Sequence, residues 1–201
     1  MLSFRRRPRR RGQRGQSLVE FTMVIPIILT MAFSIAEFGV AFGTNMSMIE
    51  ATREGARVGA VLVDGSKALG LPGCTGAANV DPQVILAVER AIESPGSGIA
   101  LANVDWIKIY QADANGNAVA GEVNTWTYTG ATSTYCGLAL HFIQGTPQWP
   151  ASSRNNILPV SSIGVSIEYR YKLFTPLSAL TSLFGLNQIT MVDSTVMDLE
   201  P

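Results

Sequence analysis

Few residues in this 201-residue chain are placed to do covalent or acid–base chemistry. The only histidine, His141, stands between Leu140 and Phe142. No Gly-x-Ser-x-Gly or other nucleophile motif accompanies it, so it reads as structural. Cys74 and Cys136 are the only cysteines, and neither lies in a Cys-x-x-Cys, which argues against a redox or zinc site. A disulfide between them would close a loop of about 60 residues and add roughly 4 kcal/mol of stability in the chain-entropy model. Asp113, Asn115 and Asn117 alternate like the first ligands of a calcium loop. The glycine comes one position early and Asn124 stands where the closing glutamate belongs, so a polar hairpin tip is the better reading. Gly70, Gly73 and Gly76 lack the Gly-Lys-Ser/Thr ending of a phosphate loop. No carboxylate pair is set out for acid–base work. These residues point to a chain that is not an enzyme, with no catalytic residue, metal, cofactor or small-molecule substrate.

The chemistry that does stand out is electrostatic. Gly15-Gln16-Ser17-Leu18-Val19-Glu20-Phe21 places a carboxylate five residues after a glycine, at the mouth of an apolar run. Left alone at the centre of a bilayer such a charge costs roughly 2.5–3.5 kcal/mol, and less near the interface. It needs a cation. A cut after Gly15 would create one, the new amine of Gln16, and a neighbouring subunit is another source.

The element that must hold Glu20 is a membrane helix. Phe21 to Ala36 carries no charge, and after Glu37 the sequence stays apolar to Gly43. About 20 residues cross a bilayer core, so residues 16–43 suffice. Pro26 lies inside and implies a kink or a loosened turn. Glu37 lies sixteen residues past Phe21, roughly 24 Å along a helix, and reads as interfacial and solvated rather than as a buried functional carboxylate. Hydrophobic residues make up 47% of the chain and charged residues 15%, apolar for a soluble domain.

The formal net charge of zero hides an asymmetry. Arg5, Arg6, Arg7, Arg9, Arg10, Arg11 and Arg14 form a basic leader over 1–15, and the rest of the chain is acidic. The leader has the charge to touch DNA, but directly before an apolar run it reads as a topology signal that stays cytoplasmic. The acidic remainder argues against nucleic acid as a partner. The C-terminal part is then extracytoplasmic, on a single-pass protein of the inner or plasma membrane.

A basic leader, a glycine, four residues, a glutamate and a long apolar helix together resemble a type IV prepilin. More narrowly, the chain resembles the TadE-like pseudopilins, minor pilins of tight-adherence (Tad, or Flp) pilus systems. The resemblance rests on Arg14 to Phe21, on Asn45 with Glu50-Ala51-Thr52-Arg53-Glu54-Gly55-Ala56-Arg57, and loosely on Thr195 to Pro201. It implies cleavage between Gly15 and Gln16 by a prepilin peptidase. It also implies pairing of Glu20 with the amine of an adjacent subunit, and other pilin or pseudopilin subunits as partners. Two other fates stay open. Signal peptidase acting after Ser34-Ile35-Ala36 would release a secreted protein, and an uncut chain would be a signal-anchored envelope binding protein with no filament role.

Residues 44–63 continue the helix, with no proline and with pairs available between Glu50 and Arg53 and between Glu54 and Arg57. Ile49, Ala56, Ala60 and Val63 form an apolar stripe to pack on the outer domain. Gly39 and Gly43, like Gly55 and Gly59, are four apart, a spacing that lets helices approach closely. Gly55 and Gly59 are assigned to packing within the chain, Gly39 and Gly43 to partner contact in assembly.

Residues 64–201 read as an outer α+β domain. Asp81-Pro82 is an N-cap with proline at the first helical position, opening a helix with Val84, Ile85, Val88 and Ile92 on one face. Strands are expected over 104–111 and 119–129, around an Asn115-Gly116 turn. Alternation over 163–173 marks the clearest strand. Thr175-Pro176 opens a short helix with Leu177, Leu180 and Phe184 inward, and 189–199 is a last strand. Residues 130–159 read as a surface excursion, in which Trp149 is either an exposed contact or tucked in. The expectation is thus a long transmembrane helix continuing into a small pilin-like domain, an antiparallel sheet with one or two short helices.

Overall fold

The computed structural model describes residues 13–66, 74, 76–157, 159–182, 185 and 188–200. Most of the basic leader, Phe184 and most of the glycine-rich run at 70–76 lie outside them.

One helix, α1 (Gln13–Leu62), runs unbroken through Pro26. After a loop and a short 3-10 turn come α2 (Val80–Ile92), β1 (Val104–Ala112), β2 (Ala118–Tyr135), β3 (Leu138–Gln144), β4 (Ser162–Lys172), the short α3 (Leu177–Ser182) and β5 (Gln188–Asp198). The five strands form one antiparallel sheet in the order β3-β2-β1-β4-β5. The outer part of α1 and the apolar face of α2 pack on one face of it. The class is α+β.

The core follows from the two periodicities. Ile107 and Ile109 of β1 and Ile163, Val165 and Ile167 of β4 alternate onto the helix side and are fully buried. Val84, Ile85, Val88 and Ile92 meet them from α2. α1 supplies Met48, Ala51, Ala56 and Ala60, small enough for the sheet to come close. Gly55 and Gly59 sit at the tightest point. A Cβ on Gly55 would lie 2.5 Å from Val88 Cγ2, and one on Gly59 would lie 2.5 Å from Ile163 Cδ1. Gly55→Ala and Gly59→Ala should each cost about 1–3 kcal/mol by overpacking, read as a lower denaturation midpoint. Both glycines are therefore occupied within the chain.

Three local expectations need correction or completion. Asp81 is not the cap of α2, which begins one residue earlier. Its carboxylate is buried and so must be paired: Oδ1 accepts from Arg154 Nη2 at 2.5 Å and Oδ2 from Asn124 Nδ2 at 2.7 Å. Asn124 in turn accepts the backbone N–H groups of Gln148 and Trp149. That network pulls Trp149 inside, to 2% exposure. Residues 130–159 are also not all excursion. They hold the end of β2 and all of β3, paired past an irregularity between Tyr128 and Ser133.

The β2–β3 turn is fastened to the segment before α2 by a Cys74–Cys136 disulfide, Cα to Cα 4.9 Å. Cys136→Ala should lower stability by roughly 4 kcal/mol. Dithiothreitol should reproduce the loss in the parent chain and do nothing further to the variant.

Candidate functional site

Among the described residues the C-terminal domain covers α1 only from Glu37 onward. Between Gly15 and Ala36 no residue is buried, and only Ile25 and Phe33 are half-covered. Leu18, Phe21, Met23, Ile28, Met31 and Ile35 point outward all round the helix. A helix apolar on every side and packed on nothing has its solvent in lipid or in other helices. Residues 18–36 measure about 28 Å at 1.5 Å per residue, against a bilayer core of about 30 Å.

At the N-terminal end, Gly15 lies in the first turn of α1, and a Cβ there would meet nothing within 4 Å among the described residues. That turn has no acidic residue to complement the positive end of the helix dipole. Glycine weakens it further, so the backbone at Gly15–Gln16 opens at low cost. Glu20 is exposed, and its Oε1 accepts from Gln16 Nε2 at 3.1 Å. The Gln16 side chain thus sits beside the carboxylate, one turn away along the helix.

At the other end of the bare run, Gly39 and Gly43 face open space, with no atom of the described residues within 4 Å of a Cβ built on either. Around them Phe38, Phe42 and Met46 are exposed. Two turns of apolar helix thus continue past the length that a bilayer core covers. Gly39→Ala and Gly43→Ala should leave the stability of the isolated chain unchanged or slightly raised, since alanine favours helix over glycine.

Glu37 overturns the expectation of a solvated carboxylate. It is 7% exposed. Its Oε1 accepts from Tyr171 Oη at 2.7 Å and from the Phe174 N–H at 3.2 Å, and its Oε2 from the Thr175 N–H at 3.0 Å. Burial and the Glu37 carboxylate hold the Tyr171 phenol well above its usual range, so it remains a donor. Residue 37 sits on the face of α1 turned toward the sheet, where the end of β4 and the loop after it bring three donors together. A carboxylate in an otherwise apolar helix is a readable anomaly, but its donors lie more than 130 residues away, and no local pattern announces them. Further out, a second polar contact ties α1 to the sheet: Thr52 Oγ1 donates to Asp193 Oδ2 at 2.5 Å and lies 2.9 Å from Thr195 Oγ1.

The other candidates are structural. Asp113 Oδ1 accepts the N–H groups of Asn115 and Asn117 at the β1–β2 turn, which hold its carboxyl below the usual range. Gly116 takes a positive φ of 82° there. Among the described residues no group of three metal-ligating side chains converges. The His141 N–H donates to Glu89 Oε1 at 2.7 Å. Glu89 is buried, and burial raises its pKa. The folded form then binds its proton more tightly than the unfolded form, so stability from this group falls as pH rises past the ordinary glutamate value. Glu89→Gln should therefore gain on the parent as pH rises above the ordinary glutamate range, in paired melts.

Residues 15–57 match the family model described as TadE-like protein, which supports membership of the TadE-like family. No curated protein and no solved structure matches the chain.

Proposed function

We propose that this chain, TadE-like over residues 15–57, is a minor pilin or pseudopilin of a Tad-type pilus or secretion system. The observation that carries the reading is the bare helix: an apolar rod of bilayer length, with a glutamate at its inner mouth and its own domain docked only beyond it. The rod is stored in the membrane, with the leader inside and the α+β domain outside. A prepilin peptidase removes the leader between Gly15 and Gln16. The helix then packs beside those of other pilin subunits, where Glu20 sets the register by meeting an N-terminal amine. Gly39 and Gly43, open on the surface, admit a neighbouring helix at close range.

The proposed role is structural, with no catalytic step. The test is genetic. Deleting the chain should abolish or sharply reduce Tad pili on the cell surface, and the intact chain supplied in trans should restore them. Undiminished pili after deletion would reject the role.

A further inference from the structure

The domain has a membrane-facing end of its own. β5 runs beside α1, with Ile189 near the helix at 34–41 and the Glu200 N–H donating to the Ala60 carbonyl at 3.0 Å. The end of β4 and the start of β5 therefore lie at the membrane end of the domain. Glu37 clamps the residues after β4 there, through Phe174 and Thr175. Ile189 shares a shallow cavity of about 250 Å³ with Ser34, Phe38 and Ala41 of α1. Ser34 lies about 24 Å along the helix from Leu18, inside the span of a 30 Å hydrocarbon core.

The composition between β4 and β5 fits that depth. No aspartate, glutamate, lysine or arginine occurs between Lys172 and Asp193. Among the described residues Phe174 is 61% exposed and Ile189 49% exposed, side by side with the bare helix. Exposed Lys172 marks the last charge before it. Large apolar side chains left uncovered at this level match lipid, and a lysine at their edge matches the headgroup zone.

We infer that Phe174, just after β4, and Ile189, at the start of β5, enter the outer leaflet beside α1 and give the domain a second membrane contact. The inference rests on the reading that α1 spans the membrane. The domain would then be held at a fixed tilt and height, by Glu37 on one side and lipid on the other, instead of swinging on a single helix.

The test uses the full chain in vesicles of phosphatidylcholine with a minor share of phosphatidylglycerol. Since Cys74 and Cys136 are joined, single cysteines at Ile28, Phe174, Ile189 and Asn115 can carry an environment-sensitive fluorophore. Labels at 174 and 189 should be quenched severalfold more by shallow spin-labelled lipid than by aqueous iodide. The label at 28 should respond to lipid and the label at 115 to iodide. If 28 reports lipid while 174 and 189 behave like 115, the second contact is wrong and the spanning helix stands. Shielding of 174 and 189 from both quenchers means protein covers them, and also overturns it. Iodide quenching at 28 removes the membrane reading and this inference with it.

Discussion

Glu20→Ala should leave the chain in the membrane at normal level and abolish its ability to restore pili to a deletion strain. The two readouts separate because the substitution acts on them in opposite directions. Removing a carboxylate from the edge of an apolar run eases insertion, by up to roughly 2.5–3.5 kcal/mol on insertion scales if the group reaches the bilayer centre. Among the described residues Glu20 is exposed, and the one hydrogen bond of its side chain is to Gln16. Loss of folding therefore cannot account for lost pili. What remains is the intersubunit pair, in which an amine buried among helices would face no countercharge, a loss of the order of 3–5 kcal/mol per contact. Glu20→Asp, one methylene shorter, should rescue in part. Glu50→Ala, exposed on the outer helix, should restore pili fully. Normal piliation with Glu20→Ala would remove the electrostatic part of the proposal.

Glu37→Ala should have the opposite profile. Three donors converge on this carboxylate, and hydrogen bonds to a charged group contribute about 1.5–3 kcal/mol each. Allowing for water reaching the emptied site, the net loss should be about 3–5 kcal/mol, at the upper end for single substitutions. Protease cleavage should increase around residues 173–176, where the loop loses its anchor. Glu37→Gln keeps one acceptor oxygen and should lose less. Tyr171→Phe removes a single donor and should cost about 1–2 kcal/mol. Stability changes below 0.5 kcal/mol in Glu37→Ala would mean that the clamp does not hold the junction. The two glutamates in the apolar run thus differ: Glu37 is satisfied by donors from β4 and the loop after it, while Glu20 is exposed and bonded only to Gln16 among the described residues, as the proposed pairing with a partner requires.

How much of this was legible in the sequence depended on the range of the interactions. The membrane run, the strand at 163–173 and the face of α2 could be read because hydrophobic period is a local property. Gly55 and Gly59 were assigned to internal packing, and the structure places Val88 and Ile163 against them. β3 was missed because Leu138–Gln144 is a short edge strand, and its partner β2 breaks register before meeting it. Asp81 was misread as a cap because Asp-Pro before an apolar helix has that local form. Its actual partners, Asn124 and Arg154, are fixed only by the fold. Glu37 failed for the same reason: the sequence shows a charge that needs company, and only the tertiary structure says that Tyr171 and the next loop supply it. Gly15, Gln16 and Glu20 stand out by their spacing, and the role proposed for them lies between molecules.

The most direct test of the account is mass spectrometry of the N-terminal peptide of the chain isolated from cells that make pili. The account predicts a chain beginning at Gln16, with its amine free to meet a carboxylate. A chain still beginning at Met1, or one beginning at Glu37, would contradict it.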